Sequence, residues 1–298
     1  MNNELHGIHP MLYAYFDERG RLDRAAMRRQ VDACIAGGAH GIAILGIVTE
    51  FNKLDVRERR TVIEWAAEDV RGRVPLAVTV NEPSVEGQIE TARIAADVGA
   101  DWLILQPPSI RNVSEAEFVH FFGKVAEGTT LPVAIQNNPM NLDVWLSARA
   151  LLTLNRNHPN VTLLKGEGPI EYVRQLIEET DGVFRVFNGR GGLELPSSMR
   201  LPCVGLIPAP DCADVLARVY ELFRAGEEER AERLHADVLP LLTYVMASPE
   251  HMLCYGKRLF AERIGLDAVH PRHPCVLPST FGEEIVARYA ANLPKLRP

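Results

Sequence analysis

The segment Asn160-Val161-Thr162-Leu163-Leu164-Lys165-Gly166-Glu167 ends a β-type apolar run on two titratable groups. Strand side chains alternate, so Val161, Leu163 and Lys165 share one face, and Glu167 continues it while the chain stays extended. An ammonium on such a face is costly to desolvate. The neutral amine that burial favours is a nucleophile able to attack a carbonyl and form a Schiff base. Glu167 is placed to pair with that amine or to move a proton. The same residues also fit a lysine that caps a strand end in an ordinary salt bridge with Glu167.

Other apolar runs end on polar residues too: Thr49-Glu50, Asn81-Glu82, Gln136-Asn137-Asn138 and Asn188-Gly189-Arg190. Thr49 offers a hydroxyl to a carboxylate, or serves a helix cap or turn. Gln136 and Asn138 can orient a substrate hydroxyl but cannot titrate, and amides at strand ends also bond local backbone. Gly189-Arg190-Gly191-Gly192 could cradle a phosphate, although such a turn is of low specificity and reads as mainly structural. His270 and His273 have no carboxylate at ligand spacing, so no metal is expected. Neither a Gly-x-Ser-x-Gly elbow nor a P-loop occurs.

These residues need a scaffold. β-type runs at 8–16, 41–46, 75–80, 102–106, 132–136, 161–165, 183–188 and 203–207 alternate with amphipathic stretches at 23–36, 56–70, 84–98, 114–126 and 169–179. The unit repeats about every 30 residues, as successive βα units do. Ser84 and Ser114 stand where N-caps belong. The spacing predicts an α/β fold, a closed (β/α)8 TIM barrel, whose active site is built by the loops at the C-terminal ends of the strands. The rival, a doubly wound open sheet, would carry a Gly-rich turn after its first strand, where this chain has Asp17-Glu18-Arg19-Gly20. Helical patterns at 214–224, 227–246, 250–264 and 281–293 follow the last run. The expected organisation is therefore a barrel over 1–224 and a helical C-terminal extension over 225–298 packed on it. The apolar stretch 238–247 suits burial against the barrel or a second subunit.

Composition narrows the function. The chain has 298 residues, 47% of them hydrophobic and 24% charged, with 32 Lys+Arg against 39 Asp+Glu and a formal net charge of −7. That balance, without a basic cluster, argues against a nucleic-acid partner. The start has no basic flank before an apolar core, and no apolar run approaches the roughly 20 residues of a membrane helix. A cytoplasmic protein with no membrane partner is expected. Five cysteines without CxxC spacing fit reduced, mostly buried thiols.

The ordered set of motifs resembles the superfamily of dihydrodipicolinate synthase and N-acetylneuraminate lyase, along nearly the whole chain. The residues that carry the likeness are Gly46-Ile47-Val48-Thr49-Glu50 with Leu54 and Glu58, Leu131-Pro132-Val133 leading to Asn137-Asn138-Pro139, and Lys165. The resemblance implies that Lys165 is the Schiff-base lysine. It also implies a common tetramer, hence a homo-oligomer. Departures matter for the reaction: the family usually has two consecutive Thr where this chain has Ile47 and Val48, a Tyr where it has Gln136, and frequently a Tyr where it has Ser109. An amide cannot relay protons as that Tyr does, which tells against dihydrodipicolinate synthase activity. The departures are similar to those of 2-keto-3-deoxy-L-arabonate dehydratase and related sugar-acid dehydratases. Gln136 with Pro139, Lys165-Gly166-Glu167-Gly168-Pro169 and Pro271-Arg272-His273-Pro274 match that branch.

The expectation is a carbon–oxygen lyase acting on a small 2-oxo acid, a 2-keto-3-deoxy sugar acid, without cofactor or metal. Lys165 would attack the C2 carbonyl and Glu167 would serve as acid/base. Thr49 and the backbone around Val48 would hold the substrate carboxylate. Gln136 would orient a hydroxyl or water, and Asn188 and Gly189 would line the Schiff-base side; Asn138 is a further binding candidate. A pyruvate-releasing class I aldolase using the same Schiff base, a non-catalytic ligand-binding barrel and a metal-dependent aldolase are the alternatives.

Overall fold

The computed structural model describes residues 5–110, 112–142 and 144–296; the outer ends of the two expected regions, at 1–4 and 297–298, lie outside it. Eight short strands form one parallel sheet: β1 (Gly7–Ile8), β2 (Ile42–Ile44), β3 (Leu76–Val80), β4 (Trp102–Leu105), β5 (Val133–Asn137), β6 (Val161–Gly166), β7 (Arg185–Asn188) and β8 (Cys203–Leu206). They run β1-β8-β7-β6-β5-β4-β3-β2. Beyond β1, Met11 bridges Ala43 in parallel. The Leu12 N–H donates to the Ala43 carbonyl at 2.8 Å and the Ala43 N–H to the Pro10 carbonyl at 2.9 Å, which closes the sheet into the expected TIM barrel.

The first strand is much shorter than the apolar run 8–16. Pro10 has no N–H for a ladder. Three residues on, the Gln30 side chain takes both polar backbone groups of Tyr13: its Oε1 accepts from the Tyr13 N–H at 3.1 Å and its Nε2 donates to the Tyr13 carbonyl at 2.7 Å. The rest of the run leaves the sheet but stays buried, and its tyrosines anchor the C-terminal segment. The Tyr13 hydroxyl donates to Asp211 and that of Tyr15 to the Lys257 carbonyl.

Helices fill the crossovers: α1 (Arg24–Ala36), α2 (Val56–Val70), α3 (Val85–Asp97), α4 (Glu115–Glu127), α5 (Ala148–Asn157), α6 (Ile170–Glu179), α7 (Leu195–Arg200) and α8 (Ala213–Arg224). Asp23, Ser84 and Ser114 cap α1, α3 and α4, and Asp55 forms a capping box with Glu58 at the start of α2. Inside the barrel, Trp102 and Phe187 stack at 5.2 Å between centroids. Ala43, Ala77 and Ala134 share that interior with them. Small residues on some strands thus leave room for large ones on others.

After the barrel come α9 (Glu228–Val245), one turn of helix α10 (Pro249–His251), a π-helical turn (Met252–Gly256), α11 (Lys257–Arg263) and α12 (Thr280–Ala290). The helix expected at 250–264 is therefore interrupted by a π turn, a departure often found at functional sites. Arg263 ties this region to the barrel through the Asp211 carbonyl and the Asp214 carboxylate. Arg272 does so through Glu58 and the carbonyls of Lys53 and Gly20. Four cysteines are buried and Cys275 is half-buried. Among the described residues no helix is long and apolar enough to cross a membrane.

Candidate active site

At the C-terminal mouth of the barrel, β5 and β6 pair so that Gln136 stands beside Lys165 and Asn137 beside Gly166. Lys165 is 5% exposed. Its Nζ lies 3.4 Å from Glu167 Oε1. The Glu167 N–H donates to the Asn137 carbonyl at 3.0 Å, which prolongs the ladder one step and keeps Glu167 on the face of Lys165. Both amides then reach the far oxygen of the carboxylate: Gln136 Nε2 donates to Oε2 at 3.0 Å and Asn138 Nδ2 at 2.6 Å.

The Asn138 amide is itself oriented. Its Oδ1 accepts the backbone N–H groups of Met140 and Asn141 at 3.2 and 3.1 Å, so its NH2 faces Glu167. Gly189, at the end of β7, provides the remaining space, since a Cβ there would overlap the Glu167 carboxylate. One oxygen of Glu167 is thus fixed by two neutral donors, and the other faces an amine. Such a carboxylate is positioned to exchange protons with whatever is attached to that amine.

Lys165 and Glu167 open into a cavity of about 310 Å³, whose wall includes Val48 and Asn138. Gln136 acts from behind, through Glu167; its Oε1 is buried with no hydrogen-bond partner among the described residues. Two expected binding residues face elsewhere. Thr49 lies in a tight turn, Ile47–Thr49, that directs its hydroxyl inward to donate to the Leu12 carbonyl at 2.6 Å. Thr49 is fully buried there and is not part of the cavity wall. Asn188 is also committed: its Nδ2 donates to Ser198 Oγ at 2.9 Å and its Oδ1 accepts the Gly189 N–H at 2.7 Å. It shapes the β7 turn and does not line the cavity.

The opposite wall escaped sequence reasoning. Met246, Ser248, Pro249 and Met252 reach the cavity from the segment after α9, and Arg190 enters from the β7 turn, paired with Glu194. Only the Gly-rich turn around Arg190 gave a signal; the others arrive by the folding of the C-terminal helices over the barrel mouth. A phenol, Tyr172, joins the network by accepting from Asn137 Nδ2 at 2.9 Å. Burial pushes it up to about 12, and it is not part of the cavity wall. No cluster of three or more His, Cys, Asp or Glu able to hold a metal ion forms among the described residues.

Comparison with known proteins identifies the family of the chain. Residues 4–288 match the model of the Dihydrodipicolinate synthetase family. A 4-hydroxy-tetrahydrodipicolinate synthase of Methanopyrus kandleri is 29% identical over 98% of either chain. One from Thermus thermophilus is 31% identical over 74% of this chain and 75% of its own. Among solved structures, a prophage protein of the dihydrodipicolinic acid synthase family from E. coli K12, in complex with pyruvate, superposes with a TM-score of 0.90. It covers 98% of this chain and 99% of its own at 24% identity, a likeness of fold.

Proposed function

The chain belongs to the dihydrodipicolinate synthetase family, and from that premise we propose that it is a Schiff-base lyase that dehydrates a 2-keto-3-deoxy sugar acid. The single observation that carries the reading is the placement of Glu167. It is a carboxylate 3.4 Å from Lys165 whose far oxygen is held by Gln136 and Asn138. Gln136 occupies the strand position beside Lys165 where the resemblance leads one to expect a phenol. With an amide there, Glu167 is the titratable group beside the lysine.

In the proposed reaction the neutral amine of Lys165 adds to C2, and the carbinolamine hydroxyl leaves as water with one proton taken from solvent, giving an iminium. The iminium draws electrons from the C3–H bond, and Glu167 takes that proton, leaving an enamine. The enamine pushes out the C4 hydroxyl, which departs as water with the proton Glu167 returns. Hydrolysis of the unsaturated iminium frees Lys165 as the neutral amine together with the dehydrated 2-oxo acid and returns that proton to solvent. No metal or cofactor enters the balance. Backbone at Ile47 and Val48 would hold the carboxylate, since neither side chain can donate a hydrogen bond. Asn138, at the cavity wall, would position a substrate hydroxyl or water, while Gly189 leaves room for Glu167 and Gln136 acts on the substrate through it. A homo-oligomer, a tetramer by family resemblance, is part of the proposal, as is a barrel over 1–224 with the extension 225–298 packed on it.

Product analysis tests it. Incubation with a 2-keto-3-deoxy pentonate or hexonate should yield a dehydrated 2-oxo acid and no pyruvate. Stoichiometric pyruvate would show cleavage of C3–C4 instead, and the protein would be an aldolase.

A further inference from the structure

A second cavity, of about 600 Å³, adjoins the first and shares Ile47 and Pro249 with it. Its character is different. Four cationic side chains, Lys53, Lys257, Arg258 and Arg272, line it against two carboxylates, Glu50 and Glu250. Both lysines converge on one acid: Lys257 Nζ donates to Glu50 Oε1 and Lys53 Nζ to Oε2, each at 2.7 Å. Arg272 is balanced by Glu58, outside the cavity. Arg258 donates to the Cys254 carbonyl and meets no carboxylate at ion-pair distance among the described residues. The cavity therefore holds more positive than negative charge in a partly desolvated space, where an anion gains from several fixed cations at once.

The walls of the two cavities are built from the same two segments. Glu50 follows directly on the Ile47–Thr49 turn, with a left-handed backbone at φ 55°. Lys257 follows directly on the π turn, of which Met252 faces the Lys165 cavity while Leu253 and Cys254 face the second. The Glu50–Lys257 pair, 2% to 3% exposed, is thus the clasp between a strand-end turn and the C-terminal segment.

We propose that the second cavity is a binding site for a small polyanion, a di- or tricarboxylate or a phosphorylated acid. Its cationic groups engage the ligand, and the ligand competes with Glu50 for Lys53 and Lys257. Loosening that clasp changes the Ile47–Glu50 turn, so occupancy of the second cavity alters the first. The coupling is reciprocal by linkage. None of this depends on the chemistry at Lys165.

Isothermal titration of the full chain with citrate and with pyrophosphate tests the site, one probe for each anion chemistry. At least one of them is expected to bind once per chain. Arg258→Ala should weaken that binding tenfold or more, and Arg258→Gln, which keeps the aliphatic stem, should do the same if the alanine variant does not fold. Lys165→Ala should bind as tightly as the parent, which separates this site from the substrate cavity. Amide hydrogen exchange at 47–50 should change when the probe binds. No saturable binding of either probe, binding indifferent to Arg258 or binding lost in Lys165→Ala would overturn the site. Unchanged exchange at 47–50 would overturn the coupling.

Discussion

Lys165 Nζ faces Glu167 Oε1 at 3.4 Å at the barrel mouth, two residues apart on the same side of β6 and its extension. The alternation of an extended chain brings the pair together. The amides of Gln136 and Asn138, from the neighbouring strand, then hold the other carboxylate oxygen. The relationship divides the labour: an amine to bond the substrate, and an oriented carboxylate to move its protons.

Glu167→Gln should therefore separate these roles. Imine formation persists, because Lys165 is intact, while kcat falls by about 10²- to 10⁴-fold, the usual contribution of a positioned general acid or base. Borohydride trapping together with steady-state turnover checks it. Turnover at the parental rate would remove Glu167 from the mechanism.

Removal of an orienting amide should act through Glu167. Gln136→Leu and Asn138→Leu are each expected to lower kcat by roughly 10- to 100-fold, as small misplacements of catalytic groups do. The double variant should lose less than the product of the two, since both donors serve one oxygen. Strictly multiplicative losses would show independent roles.

His9 carries a prediction about stability. Its Nε2 lies 3.0 Å from the His6 carbonyl and its Nδ1 is buried without a partner among the described residues, packed with Trp102 and Phe187. Burial pushes the imidazole from 6.5 down to about 3. Between those values the unfolded chain binds the proton and the native chain does not, so this contribution to stability rises with pH and is lost as pH falls from 6.5 toward 3. Denaturant unfolding at several pH values should show the slope reduced in His9→Leu by about 1.4 kcal/mol per pH unit. An identical slope in parent and variant would contradict it.

Lys257→Met should destabilise the fold by about 3 kcal/mol, the lower end expected when one partner of a buried ion pair is removed, because Lys53 still pairs with Glu50. The double change Lys257→Met with Glu50→Gln should recover part of the loss, measured by the denaturation midpoint. A double variant less stable than Lys257→Met alone would show that the pair does not act as a unit.

Much of this was legible in the sequence because it follows from local rules. The period-2 pattern put Lys165 and Glu167 on one face, and Ser84 and Ser114 marked two helix starts. Local rules fail where a tertiary contact decides. Thr49 looked like a donor at a strand end, yet the turn carries its hydroxyl to Leu12. The run 8–16 looked like one strand, yet Gln30 claims the backbone of Tyr13. Met246 and Met252 belong to the cavity only because α9 and the π turn fold across it. The Glu50–Lys257 pair spans 207 positions in the chain, beyond any spacing rule.

The central claim is the covalent role of Lys165, and borohydride trapping tests it most directly. The protein is incubated with pyruvate or a 2-keto-3-deoxy sugar acid, reduced and digested, and the adduct located by mass spectrometry. The account predicts one adduct, on the peptide containing Lys165, and none in Lys165→Ala. A folded protein that forms no adduct with any 2-oxo acid, or forms it on another lysine, would contradict the account.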